Sequence, residues 1–441
     1  TLPIRKNYLI QVSFSMTSRM QSFQNLSTSD SIFYELVNNK KLKQARKAKI
    51  FRVFSVGIFA VVLLVLFLIR WCTNFSNDSI KIRPHIHVKQ FGPPKILAWT
   101  TFFGDNLLPY LYIGACEYSC IYGTASNMTE DEADAIIFHL RDITPSSLPQ
   151  RRHADQIYVG ATLESPPNIK SSACGVCSLP ADFFNATLDY RVQPLTYPWS
   201  YGALRKATSD DWDKVKPMTD QEFSAIYEKK RKTALAMISN CDASRAACAI
   251  RSIMGRGDPC TFQSGRGAYV EELAKHTDVT LIGKCYGGWM GGGEECGATD
   301  GCEARLLESH FFFLAFENSV CEDYITEKFW RIRHDIVPVV LLRSTYAPHI
   351  PSSAFIAADD FDSPTQMAAH LERVAANATL YKQYFAWRDT HYFEGASNGV
   401  CDLCRDLHKG TVRLRDSLSM REYYSTKQCK RNVVSNLLKR S

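Results

Sequence analysis

Beyond its first fifty residues the sequence has no excess charge of either sign. The 441 residues include 52 Lys+Arg and 45 Asp+Glu, a net charge of +7. Residues 1–50 hold nine basic residues against the acids Asp30 and Glu35, which accounts for the whole excess. A neutral body argues against a nucleic-acid partner, which would need a basic face. Cysteine is absent before Cys72, although the rest of the chain has 15. No internal repeat is visible. There is no G-x-S-x-G, H-E-x-x-H or Walker sequence, and the glycines at 287–293 lack the strand–turn–helix context of a dinucleotide fingerprint. The composition, 45% hydrophobic and 22% charged, is ordinary globular usage and excludes a wholly disordered, collagen-like or coiled-coil chain. The length suits two or three domains.

Directly after the basic tail comes an apolar run from Val53 to Ile69, between Arg52 and Arg70. As a helix it spans about 25 Å. A bilayer core is about 30 Å thick, and snorkelling arginines with Ile50, Phe51 and Trp71 extend the reach. No polar face interrupts the run, which argues against a core helix. Its distance from Thr1 and the lack of a small-residue cleavage site argue against a signal peptide. Basic residues crowd Lys40 to Arg52, so positive-inside orientation puts the N-terminus in the cytosol and residues 71–441 in a lumen. The cysteine distribution agrees with an oxidising compartment. So do the sequons headed by Asn74, Asn77, Asn127, Asn185 and Asn377.

Residues 71–94 end in Gly92-Pro93-Pro94 and read as a stem. Short apolar runs then predict buried parallel strands at Lys95–Trp99, Ala133–Phe138 and Ile157–Ala161. Residues 165–232 predict long loops, ending in an exposed charged helix over Glu222–Lys232. A second series begins at Thr233, with strands at Ala234–Ile238, Val279–Ile282, Phe311–Phe316 and Ile336–Leu342. Helices are expected at 242–254, Tyr269–His276 and Tyr324–Arg333, the last with Ile325, Phe329 and Ile332 on one face. The final forty residues are basic and helix-forming. Two successive series of strands and helices imply two doubly wound α/β domains.

Chemistry concentrates at a few strand ends. Phe316-Glu-Asn-Ser319 closes a strand, and Asp323-Tyr-Ile-Thr-Glu-Lys-Phe329 is expected to open a helix, whose N-terminus would suit an anion. Lys328 adds charge there and Glu327 could accept from sugar hydroxyls. The plainer alternative is a helix capped by its acids. Glu164 lies just past the strand at 157–161, where a carboxylate could act as a general base; a solvated loop glutamate is the alternative. Ser239-Asn-Cys-Asp-Ala-Ser-Arg245 offers Arg245 for a diphosphate. Asp211-Trp-Asp213 and Asp360-Phe-Asp362 have a metal-holding form but sit in charged, loop-like stretches. Cys174-Gly-Val-Cys177 and Cys401-Asp-Leu-Cys404 look like half zinc sites, although disulfides suit the compartment better. Arg256-Gly-Asp258 is a chance tripeptide.

Phe316-Glu-Asn-Ser319, Asp323-Tyr-Ile-Thr-Glu-Lys-Phe-Trp330 and Val337-Pro-Val-Val-Leu341 together resemble the α1,3-fucosyltransferase family of Golgi enzymes. Asp359-Asp-Phe-Asp-Ser-Pro364, Phe385-Ala-Trp-Arg-Asp389, Cys401-Asp-Leu-Cys404, Leu163-Glu-Ser-Pro166 and Ser239-Asn-Cys241 with Arg245 fit as well. The likeness covers about residues 95–407. One departure is Arg333-His-Asp335, which replaces a small apolar helix end.

The resemblance implies a GT-B fold, two Rossmann-like doubly wound domains facing across a cleft, preceded by a transmembrane helix and a stem. In that layout 1–52 are a cytosolic basic tail, 53–69 a single-pass type II signal anchor of the Golgi membrane, and 70–94 the stem. Residues 95–232 form the acceptor-side domain, 233–400 the GDP-fucose-binding domain, and 401–441 a C-terminal Cys-containing basic segment. The implied reaction moves L-fucose from GDP-fucose, with inversion, to the 3-hydroxyl of N-acetylglucosamine in a glycan acceptor. Glu164 would be the general base. Arg245 and Lys328 would steady the departing GDP, Glu327 would bind the ribose, and Asn318 and Tyr324 would line the donor site. No obligatory metal is expected, because two cations and a helix dipole can replace one. A catalytically impaired glycan-binding protein on the same fold is the alternative. Acceptor type, strict 3- versus 4-linkage and a homodimer are left open.

Overall fold

The computed structural model describes residues 82–83, 92–111, 116–169, 179–240 apart from 181 and 194–195, 264–285 apart from 284, 301–413 apart from 398, and 423–440 apart from 425. The predicted span at 53–69, most of the stem, Cys174, Cys177, Arg245, the helix expected at 242–254 and the 256–258 tripeptide lie outside the described residues. Among the described residues no helix is long and apolar enough to cross a membrane.

Two parallel sheets make the frame. The first runs in the order β2-β1-β3-β4-β5-β6, with β1 Lys95–Ala98, β2 Ile121–Thr124, β3 Ala135–His139, β4 Ile157–Thr162, β5 Ala186–Asp189 and β6 Thr196–Pro198. β3 is buried at every position, as expected of a strand covered on both faces. The loop expected over 165–232 therefore contains two sheet strands. They are four and three residues long, too short to show a period, and only their burial marks them. β7 Ala203–Lys206 pairs antiparallel with β13 His391–Glu394 and so ties distant stretches of the chain. The charged helix forms over Asp220–Tyr227 (α1), opened by a reciprocal Thr219–Glu222 capping box.

The second sheet runs β9-β8-β10-β11-β12, with β8 Lys232–Met237, β9 Val279–Ile282, β10 His310–Leu314, β11 Val337–Val340 and β12 Ile356–Ala357. Pro338 fits inside β11 because β12 begins only at Ile356, opposite Val339, so the missing N–H faces no ladder partner. One face packs on α2 (Arg266–Leu273), α4 (Pro364–Ala375) and α6 (Val433–Leu438). The other packs on α3 (Cys302–Ser309) and the turn at Phe329–His334.

Both sheets reverse strand order beside their first strand, between β1 and β3 and between β8 and β10. Doubly wound sheets hold ligands beyond the carboxyl ends of the strands at that reversal.

The end of the chain returns to both lobes. α5 (Gly399–Lys409) covers the first sheet with Val400, Leu403 and Cys404. Burying Val400 and Leu403 stabilises by about 1.5–3 kcal/mol each. α5 lies so close to β6 that a Cβ on Gly399 would stand 2.5 Å from the Pro198 carbonyl oxygen. Cys401 and Cys404 bond to Cys116 and Cys120, so this pair forms disulfides rather than half a zinc site. Tyr423 and Tyr424 then pack on the first lobe and α6 on the second.

Candidate active site

Residues 315–328 do not turn directly into an α-helix as the sequence suggests. They make a tight loop, and only Phe329–His334 are helical, as a 3-10 turn. Asp323 takes a positive φ of 58°, which no α-helix contains, and its carboxylate meets His349 Nε2 at 2.6 Å. The predicted apolar face survives without the helix: Ile325, Phe329 and Ile332 are all buried together. The helix dipole expected to hold an anion here is absent, so charge must come from side chains.

Those side chains are organised by Glu317, which is 4% exposed. Its carboxylate accepts from the Thr326 N–H at 2.9 Å, the Thr326 hydroxyl at 2.7 Å and the Lys328 ammonium at 3.0 Å. The ammonium also donates to Thr326 Oγ1 at 2.7 Å and to Glu327 Oε1 at 3.0 Å. Burial alone would lower the Lys328 pKa, but the carboxylates of Glu317 and Glu327 outweigh it and raise it. Burial likewise works to raise Glu327, and the Lys328 charge reverses that, holding it below the ordinary carboxylate value. Lys328 is thereby fixed as a cation at neutral pH.

Above this cluster lies a cavity of 270 Å³ at the strand-order reversal of the second sheet. Asn240, Arg266, Asn318, Glu327, Lys328 and Arg331 line it. Arg266 is not among the residues the sequence singles out. It opens α2, is 2% exposed, and donates to the carbonyls of Phe316 (2.9 Å) and Asn240 (2.8 Å) just beyond the ends of β10 and β8. Among the described residues no carboxylate pairs with it, and its buried Nε has no partner. The signal in the sequence was Gly265-Arg266 just ahead of the apolar Tyr269, Val270 and Leu273; the helix begins there rather than at Tyr269. The buried Asn318 amide oxygen has no partner among the described residues and is free to accept.

The structure brings Asn318, Glu327 and Lys328 together, and puts Tyr324 behind them. That ring is 3% exposed and packs edge-on against Tyr190 of the first lobe, with centroids 5.0 Å apart. The loop is tied down at this point by the Cys321–Cys429 disulfide and by Lys430 N–H donating to the Val320 carbonyl at 2.8 Å.

Glu164 lies just after β4 at the carboxyl end of the first sheet and is partly buried. Its carboxylate has no hydrogen-bond partner among the described residues. Burial pushes its pKa up; Glu327 and Glu317 add to the rise, while Arg141 and Lys328 oppose it. It therefore shares one electrostatic neighbourhood with the second-lobe cluster. Tyr201 fixes the approach, donating to the neighbouring Leu163 carbonyl at 3.1 Å. An unbonded carboxylate of raised pKa suits proton abstraction. By contrast, the first acid of each D-x-D string is engaged: Asp211 accepts from Thr208 and Lys214, and Asp360 pairs with Arg343.

Comparison with known sequences gives this arrangement a family. Residues 227–421 match the profile of glycosyltransferase family 10 (fucosyltransferase), C-terminal part, and 92–199 match the fucosyltransferase N-terminal profile. The Drosophila melanogaster alpha-(1,3)-fucosyltransferase C is 30% identical over 340 residues, 71% of this chain and 73% of that protein. The Pan troglodytes 4-galactosyl-N-acetylglucosaminide 3-alpha-L-fucosyltransferase FUT6 is 30% identical over 335 residues, 72% and 79% of the two chains. A crystal structure of an α1,3-fucosyltransferase with GDP superposes with a TM-score of 0.45 at 14% identity, over 78% of this chain and 96% of that one. The chain belongs to glycosyltransferase family 10, the fucosyltransferases.

Proposed function

We propose that the protein moves L-fucose from GDP-fucose to the 3-hydroxyl of an N-acetylglucosamine in a glycoprotein or glycolipid glycan, with inversion. The observation that carries this reading is one juxtaposition. A cavity with two fixed cations, Lys328 and Arg266, stands in the second lobe, and an unbonded carboxylate of raised pKa, Glu164, stands at the first. The frame is then of GT-B type, with the donor at residues 233–400 and the acceptor at 95–232. Residues 53–69 anchor it as a single-pass type II protein of the Golgi membrane.

The chemistry divides between the lobes. Glu164 takes the proton of the acceptor hydroxyl, whose oxygen bonds to C1 of fucose from the face opposite GDP. The bond from C1 to the β-phosphate oxygen breaks, and its electron pair leaves with GDP. Lys328 and Arg266 hold the charge that develops on the diphosphate, where fixed cations in a partly buried site act most strongly. Glu327 keeps an exposed carboxylate oxygen for ribose hydroxyls, and the free Asn318 amide oxygen accepts from the nucleoside. Tyr324 supports the donor loop from behind. Arg245, assigned the diphosphate from the sequence, lies outside the described residues and keeps that proposed role; Arg266 joins Lys328 as a described cation at the cavity. With one base on the acceptor side and two cations on the diphosphate, GDP can depart without a metal.

The test is incubation of the detergent-solubilised full chain with GDP-fucose and a panel of defined glycans ending in N-acetyllactosamine, LacdiNAc or an N-glycan core. Transfer to the 3-hydroxyl of N-acetylglucosamine is expected. Absence of transfer to every acceptor refutes the reading.

A further inference from the structure

A second cationic cavity lies at the opposite end of the second sheet. Its volume is 380 Å³, against 270 Å³ for the cavity at the strand-order reversal. Its walls come from residues that lead into three parallel strands. Lys229 and Lys230 precede β8, Glu308 closes α3 ahead of β10, and Arg333, His334 and Asp335 precede β11. The two cavities share no lining residue, although neighbours along α3 and the 329–334 turn divide between them: Glu303 and Arg331 line the first, Ala304 and Arg333 the second.

The acids in this wall are already engaged. Glu308 pairs with Lys229, and Asp335 pairs with Arg388, which lies outside the cavity. Arg305 also lines the wall and is engaged elsewhere; Lys230 and Arg333 pair with no carboxylate among the described residues. Lys230 is 4% exposed, yet among the described residues no carboxylate pairs with it. Its ammonium donates to the Leu307 carbonyl at 3.0 Å, which uses one of its three N–H groups. Lysine is almost never buried this deeply without a counter-charge. Burial drives its pKa down to about 8, with Asp335 and Glu308 opposing. Arg333 is exposed and in no ion pair among the described residues; its Nε donates to His334 Nε2 at 3.3 Å. That contact leaves Nδ1 of His334 as the proton carrier and a third donor.

We propose that this cavity binds a tetrahedral oxyanion, a phosphate or sulfate group, between Lys230 and Arg333 with His334 as an additional donor. Such a group supplies the counter-charge that the fold leaves out, and it has enough acceptor oxygens for all three side chains. The space exceeds that of the ion alone, so the group can also arrive on a sugar.

The test uses the full chain in detergent with GDP in excess. Thermal unfolding is measured as inorganic phosphate or sulfate is added, against chloride at equal ionic strength. Phosphate and sulfate are expected to raise Tm and chloride to leave it unchanged. Arg333→Gln should weaken phosphate binding by about tenfold, the worth of one charge-assisted hydrogen bond. Lys230→Met should raise Tm without phosphate, because an unpaired buried charge is gone, and abolish the phosphate increment. Both variants should retain wild-type fucosyl transfer. A sugar sulfate binding more tightly than sulfate identifies a saccharide source, and equal binding identifies the free ion; either supports the site. An equal rise with chloride overturns the proposal. So does an increment that survives in both variants and vanishes in Lys328→Ala, which would place the anion at the other cavity.

Discussion

The Lys328 ammonium meets the buried Glu317 carboxylate at 3.0 Å, so the cation that lines the cavity is also the counter-charge of the loop that presents it. Lys328→Ala should therefore damage two properties at once. Removing one partner of a buried pair costs about 3–5 kcal/mol, and donor binding should weaken as well. Pairing Lys328→Met with Glu317→Gln should restore most of the stability and none of the donor affinity. Denaturant unfolding and GDP titration on wild type and the two variants separate the two effects. The pH dependence has a definite sign. Against burial, Glu317 and Glu327 raise the Lys328 pKa above its ordinary 10.5. The stabilisation is thus fully present below 10.5 and lost as pH rises through the higher folded value.

Glu164→Gln should reduce transfer by about 10²–10⁴-fold while GDP affinity stays unchanged. The raised Glu164 pKa predicts that wild-type kcat/KM falls as pH drops through it, since the base works only when ionised. A flat acid limb in Glu164→Gln, measured with residual activity, supports the assignment. Normal transfer in that variant refutes it.

Arg266 bridges the ends of β8 and β10 while keeping its charge unpaired among the described residues. Arg266→Met should weaken GDP binding by about tenfold or more. Arg266→Lys should not restore it, because one ammonium cannot span both carbonyls in the fork geometry of a guanidinium. Equal GDP affinity in wild type and Arg266→Lys would show that only the charge matters.

Cys321–Cys429 closes a loop with a sequence separation of 108. Cys429→Ala should lower stability by about 2–5 kcal/mol. Because the bridge abuts Tyr324, it should also loosen the 317–328 loop and raise the KM for donor. The check is unfolding and donor kinetics of the variant, and of wild type under reductant.

Legibility in the sequence tracked burial. β3, β4, β8, β10 and β11 are dense apolar runs, and all five stand within a residue or two of where the sequence places them. β5 and β6 carried no such signal: Ala186–Asp189 includes a threonine and an aspartate buried by neighbours far along the chain. Asn318, Glu327 and Lys328, singled out by strand ends and motif, line one cavity, and Glu164 stands at the carboxyl end of the first sheet. The helix expected over Tyr324–Arg333 does not form, because its periodicity records burial of Ile325, Phe329 and Ile332, which a 3-10 turn satisfies as well. Arg266 escaped notice because its importance depends on which carbonyls it bridges, and the strands that bring those carbonyls together lie far apart in sequence.

The return of the chain to its first lobe has a consequence in time. Cys116 meets Cys401 only after the chain has grown by a sequence separation of 285 residues. At ordinary synthesis rates that wait is about 15–60 s. Until then the first sheet has no α5 on its face, and Cys116 and Cys120 lack their native partners. The lobe made first is finished last, because the helix and both cysteines that close it come from the far end of the chain.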